Sequence, residues 1–211
     1  MAEIVPAIIA KTFAELKDKI NLVETLATTV QLDVMDGIFV SNSTWMNPED
    51  LSKLKTNLFL EAHLMVKEPA KILGGWLASP VKRIIVHYEA EADIKKIAGQ
   101  VHKANKEFGV ALNPETDSAV LDDFVQEIDL ALFLSVNPGF AGQEFLPAVL
   151  PKISRLRQKN SDVKIAVDGG INLTNAGQIR EAGADILVVG SALFASQDIR
   201  EALARIQTSI K

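Results

Sequence analysis

The chain has 211 residues, 48 % of them hydrophobic and 23 % charged, which suits one globular domain of the barrel size (roughly 200–250 residues) and argues against disorder. It has no cysteine, so disulfides, thiolate nucleophiles and zinc–thiolate sites are excluded. Its 22 basic and 27 acidic residues leave a net charge of −5 with no basic tract, so nucleic acid is not an expected partner. No apolar run nears the ~18–20 residues that span a bilayer, so no membrane partner is expected either. The opening MAEIVPAIIAKTFAEL places Glu3 before its apolar run and lacks a basic leader. It does not read as a signal peptide, and a cytoplasmic location is the expectation.

Short apolar runs alternate with longer amphipathic stretches along the chain. The first candidate strand covers 4–10, and Phe13, Leu16, Ile20 and Val23 follow on one helical face. Strands come next at 30–34, 59–66 and 83–87. Ile94, Ile97, Val101 and Phe108 repeat the helical spacing before a strand at 109–112. The last strands fall at 131–136, 163–167 and 186–189, and Ile199, Leu203 and Ile206 mark a final helix. Alternation of this kind means parallel strands covered by helices. Eight such units, with no Gly-rich fingerprint after the first strand, favour a closed (β/α)8 TIM barrel over an open sheet. The expected organisation is α/β, a single barrel domain over residues 1–211.

In such a barrel the chemistry belongs at the C-terminal ends of the strands. Polar residues collect there: Asp33 and Asp36 on the second strand, His63 on the third, His87 and Glu89 on the fourth, Asn113 on the fifth, Asn137 on the sixth, Asp168 on the seventh and Ser191 after the eighth. An Asp in an apolar strand is costly unless paired or bound to a cation. Asp168, before two glycines, could merely cap a turn. Two such carboxylates on opposite sides of one barrel, with His63 between, suit proton transfer on both faces of a carbon beside a carbonyl. A lone histidine is more often a core residue, which is the plain reading of His63 or His87 taken singly. His102 sits on a charged helix face and reads as solvated.

Gly139, Gly142, Gly169, Gly170 and Gly190 follow the last three strands. Glycine lets backbone N–H groups approach an anion closely. Barrels of this architecture often hold a phosphate after strands seven and eight, beside a short extra helix, which Ser191–Phe194 could form. Met35, Met65 and Phe39 fall near the expected mouth. Trp45 and Trp76 read as packing residues.

The motifs LDVMDGIFVSN at 32–42, HLMV at 63–66, VNPGFAGQEF at 136–145, VDGGIN at 167–172 and VGSALF at 189–194 together resemble the ribulose-phosphate 3-epimerases. The resemblance runs from strand two to strand eight. It implies a small-molecule ketose phosphate as substrate and inversion of C3 of D-ribulose 5-phosphate to give D-xylulose 5-phosphate. It also implies a divalent metal ion and a homo-oligomer. By the same resemblance Asp33 and Asp168 are the catalytic pair, and Asp33, His63 and Asp168 are metal ligands. Met35, Met65 and His63 contact the substrate, and Gly139, Gly142, Gly169, Gly170, Gly190 and Ser191 form the phosphate-contacting segments.

The departures are specific. The family pattern has a metal-binding His where this chain has Gln31. An amide oxygen is a weaker ligand than imidazole for zinc or iron and shifts preference toward manganese or magnesium. The family's PSILSADF reads PAIIAKTF here, so Ala10 replaces a substrate-contacting serine, and Lys11-Thr12 replaces Ala-Asp. Ile38 and Leu134 stand where a His and a Met are usual. Lys11 either turns inward to Asp33 as a substitute cation or lies exposed in the first loop, the favoured reading. Two alternatives stay open: a phosphosugar-binding barrel that has lost catalysis, and a related sugar-phosphate lyase. The lyase ranks last, because Asp33-Val34-Met35-Asp36 lacks the lysine of the lyase pattern.

Overall fold

The computed structural model describes residues 2–210. Eight parallel strands close into a barrel in chain order. They are β1 Glu3–Ile8, β2 Thr29–Met35, β3 Phe59–Met65, β4 Arg83–His87, β5 Glu107–Leu112, β6 Leu130–Leu134, β7 Lys164–Asp168 and β8 Ile186–Val189. Around them run α1 Phe13–Val23, α2 Pro69–Ala78, α3 Ile94–Lys103, α4 Leu150–Lys159, α5 Ala176–Glu181, α6 Ser191–Phe194 and α7 Ile199–Ser209. Local signals set their starts. Thr12, Asp93 and Asp198 accept the N–H of Glu15, Lys96 and Glu201 and cap α1, α3 and α7, and Pro69 opens α2.

Two crossovers lack the expected helices. Between β2 and β3 the chain makes only a 3₁₀ turn, Pro48–Lys53, and between β5 and β6 only the 3₁₀ turns Ser118–Asp123 and Val125–Glu127. Their Asn-Pro dipeptides and crowded acidic residues favour turns over a sustained helical period. Phe108 is not on the third helix. Asn105 takes a φ of 55 after α3, a left-handed stop, and Phe108 then lies in β5. β1 and β6 end at Ile8 and Leu134, short of 10 and 136.

Strand alternation sorts the side chains into two populations. On β2, Val30, Leu32 and Val34 join the core beneath the helices, which leaves Gln31, Asp33 and Met35 for the interior. On β3, Leu60, Ala62 and Leu64 face the helices, while Glu61, His63 and Met65 face inward. Val5, Ala7, Ile85, Leu130, Leu132, Ala166, Ile186 and Val188 fill the barrel's centre. Trp76 is fully buried and packs edge-on against Trp45, both structural.

Candidate active site

Parallel register puts Asp33 beside His63 and Met35 beside Met65 across β2 and β3. Asp168 closes β7, level with Leu134 on β6 and Val188 on β8. These inward positions converge on one spot. Donor atoms of Asp33, His63 and Asp168 all lie within 4.8 Å of one another. Gln31 is fully buried just below them. Its amide nitrogen donates to Asp33 Oδ1 at 2.8 Å and to Asp168 Oδ2 at 2.7 Å, and lies 3.3 Å from His63 Nδ1. The amide oxygen of Gln31 is buried with no partner.

A chain of hydrogen bonds fixes the protons on the two histidines. Burial works to raise the Glu89 carboxyl, but hydrogen bonds from His87, Thr116 and the Asn113 N–H hold it below its usual range. Glu89 is therefore an acceptor, and His87 Nδ1–H donates to it at 3.2 Å. Burial drives the His87 ring down to about 4, so it is neutral and its Nε2 accepts. His63 Nε2–H then donates across 2.9 Å to His87 Nε2. That leaves His63 Nδ1 as a bare lone pair facing the two carboxylates, the tautomer a ligand needs. Burial, with the charge of Asp33 added, pushes the Asp168 carboxyl up to about 7. A carboxylate pair this close favours one shared proton or a bound cation.

These groups form the floor of a cleft of about 820 Å³, counted to its open mouth. Its walls include Met35, Met65, Gly139, Gly142, Gly169, Gly170, Gly190 and Ser191. The expected site residues thus lie together, with Gln31 beneath the floor. Gly169 and Gly170 have φ of 118 and 63, and a Cβ on either would come within 2.5 Å of Val136 or the backbone of Phe145. Gly190 differs. A Cβ there would meet nothing closer than 3.6 Å, so the fold tolerates a side chain where the cleft needs open backbone.

The chain matches the ribulose-phosphate 3 epimerase family over residues 3–194. It is 38 % identical to the ribulose-phosphate 3-epimerase of Chlamydia muridarum (strain MoPn / Nigg) over 205 residues, covering 93 % of this chain and 90 % of that protein. It is 35 % identical to the ribulose-phosphate 3-epimerase of Bacillus subtilis (strain 168) over 217 residues, covering 99 % and 100 %. The chain belongs to the ribulose-phosphate 3-epimerase family. Among solved structures, 3-hexulose-6-phosphate synthase from Salmonella typhimurium superposes with a TM-score of 0.72 at 15 % identity, covering 99 % of this chain and 98 % of that one. Phosphoribosyl anthranilate isomerase from Thermococcus kodakaraensis gives 0.72 at 13 %, covering 100 % and 99 %. At these identities the likeness is one of fold.

Against the family pattern, the placing of Ala10 needs correction. Ala10 is buried but does not line the cleft. The first-strand residues that do are Ala7 and, just beyond the strand, Ile9, because alternation turns residue 10 toward the helices. Lys11 follows the favoured reading and does not reach Asp33. It is exposed, and its Nζ donates to Asn42 Oδ1 at 2.5 Å and to the Ser43 carbonyl. His102 is paired with Asp129 at 2.9 Å, so it is not simply solvated. Asp36 is spent on its own turn, accepting from the N–H groups of Ile38, Phe39 and Lys67. Ile38 is 71 % exposed. The sequence reading missed Lys19, which lines the cleft. It also missed the His87–Glu89 pair as a support for His63. A histidine two residues before a Glu at a strand end was the available signal for that pair. For Lys19, spaced like its solvated neighbour Lys17, there was none.

Proposed function

We propose that this protein epimerises C3 of a ketopentose phosphate, interconverting D-ribulose 5-phosphate and D-xylulose 5-phosphate through an enediolate. Family membership supports the reaction class, and the convergence of Asp33 and Asp168 on one cleft floor carries the mechanism. The C3 proton lies beside the C2 ketone. One aspartate, Asp33, removes it from one face and charge spreads over the two oxygens. Asp168, whose carboxyl holds a proton near neutral pH, delivers one to the opposite face. In the reverse direction the roles exchange. Met35 and Met65 pack over the reacting carbons and exclude water from the anion. Gly139, Gly142, Gly169, Gly170, Gly190 and Ser191 offer backbone N–H groups, and Ser191 a hydroxyl, to the phosphate.

The donor set fits a divalent cation. Asp33, His63 and Asp168 would hold it, and the unpartnered Gln31 oxygen is a fourth donor if the amide exchanges its two ends. When bound, such an ion supplies Lewis-acid stabilisation of the developing negative charge. With three oxygens and one nitrogen the set favours manganese or magnesium over zinc or iron. The same reading carries a cytoplasmic location and a homo-oligomer. Among the described residues no helix is long and apolar enough to cross a membrane.

Two measurements test the reaction. A coupled assay should report D-xylulose 5-phosphate from D-ribulose 5-phosphate, and in deuterium oxide the C3 hydrogen should exchange with solvent. Absence of both, with manganese, magnesium, zinc or iron supplied in turn, would overturn the proposal.

A further inference from the structure

The cleft holds two carboxylates, yet its ligand is a phosphate dianion. A cation held by Asp33, His63 and Asp168 would offset the carboxylates, which leaves the phosphate dianion to be met by another positive group. Among the described residues that line the cleft, Lys19 is the one Lys or Arg side chain. It comes from α1 and reaches the wall that Gly190, Ser191 and Phe194 share. Pairing of β1 with β8, Pro6 opposite Val189, brings the loop after β1 against the loop after β8. That places Lys19 at the Ser191 end of the cleft, where its ammonium stands 6.0 Å from the Phe194 ring centroid.

Its posture is built. Nζ donates to the Ile9 carbonyl and to Glu15 Oε1, each at 2.7 Å. Glu15 is itself held from the other side, its Oε2 accepting the Lys11 N–H at 2.7 Å. An ammonium has three N–H donors, and two are used. Lys19 is 28 % exposed, against 67 % for Lys53 and 71 % for Lys71 in their own i,i+3 pairs. A plain helix-surface pair with Glu15 needs neither the Ile9 carbonyl nor a place in the cleft wall.

Resting on the epimerase reading above, we propose that Lys19 is the side-chain cation that binds the substrate's phosphate, its remaining N–H directed at a phosphate oxygen beside Ser191. The backbone N–H groups of the glycine segments then position the phosphate, and Lys19 supplies a charged N–H, its charge shared with Glu15. Selection of phosphorylated over free ketoses follows from that charge.

The test compares wild type with Lys19→Met, which keeps the length and removes the charge, and with Lys19→Arg. Binding of D-ribulose 5-phosphate and of inorganic phosphate is measured by calorimetry, and KM and kcat on the same proteins. Lys19→Met is expected to weaken both ligands about 10- to 100-fold, the usual cost of losing a charged hydrogen bond. KM should rise in step while kcat falls far less, and Lys19→Arg should restore most of the affinity. A lower melting temperature with both affinities held within twofold would assign Lys19 to helix pairing and overturn the proposal. So would a wild type that binds neither ligand. Wild type that binds D-ribulose 5-phosphate without turning it over would remove the epimerase reading, while the Lys19 comparison would still decide this one.

Discussion

The two ends of the barrel interior bury ionisable groups on shared strands, with an arginine set among the carboxylates at one end and, among the described residues, no permanent cation among those at the other. β3 contributes Glu61 below and His63 above; β4 contributes Arg83 below and His87 above. At the lower end Arg83 reaches Glu61 through Nη1 and Glu107 through Nε at 2.8 Å, and stacks 5.0 Å from the Phe59 ring centroid. Burial alone would lower the guanidinium, but the two carboxylates outweigh it and raise it. At the upper end Asp33 and Asp168 each accept from the neutral Gln31 amide, and His63 Nδ1 lies 3.2 Å from Asp33. One cluster is built around a permanent cation, Arg83 between Glu61 and Glu107. The other has no such cation, and its carboxylate pair is tolerable only with a shared proton or a bound cation. What sets the upper end apart is a close carboxylate pair with no permanent cation beside it.

The sharpest way to break this comparison is to neutralise the upper carboxylates. Asp33→Asn or Asp168→Asn should fold and lose at least about 10³-fold in kcat, the scale of a lost acid–base group. A variant retaining a tenth of wild-type turnover would remove that aspartate from the proton path. The lower cluster should respond in stability. Arg83→Met leaves Glu61 buried without a partner and should cost about 3–5 kcal/mol in urea unfolding. A loss under about 1 kcal/mol would mean that the pair is not what holds the lower end together.

The pH response separates the ends further. Asp168 is raised from 3.8 to about 7, so the native state keeps a proton the unfolded chain has released. Its contribution to stability is full below about 3.8 and is lost as pH rises through 7. His87, lowered from 6.5 to about 4, contributes above 6.5 and loses its share as pH falls toward 4. In chelator, Asp168→Asn should therefore exceed wild type in stability at pH 8, by on the order of 2 kcal/mol, with the gap closing toward pH 4. A gap that stays constant with pH would contradict the raised carboxyl. The smallest effect concerns Gln31. Gln31→His should tighten zinc binding by about tenfold or more over wild type, read by competition with a chromophoric chelator. Equal affinities would show that the amide ligates as well as imidazole does.

Much of this molecule was legible from residues alone. The apolar runs and their spacing located all eight strands, because a strand buried on both faces must be apolar and short. The barrel mouth was equally visible. Asp33, His63 and Asp168 stand out as polar residues in apolar strands, and the glycine words after the last strands marked turns beside them, Gly169 and Gly170 with positive φ. The crossovers over 48–53 and 118–127 were misread as helical, since loops of mixed polarity imitate the helical period. The cleft-facing position read at Ala10 is taken by Ala7 and Ile9, because inside or outside is a one-residue matter on a strand.

What the sequence by itself determined is the set of strands and the identity of the inward-facing polar groups, both local consequences of hydrophobic periodicity. Only the closed barrel decided which of them meet. Gln31 bonded to a carboxylate 137 positions away, His87 aligning His63, and Lys19 turned into the cleft all depend on how β1 and β8 come together and how far each strand is staggered. Register and closure are long-range properties, so no window of neighbouring residues encodes them.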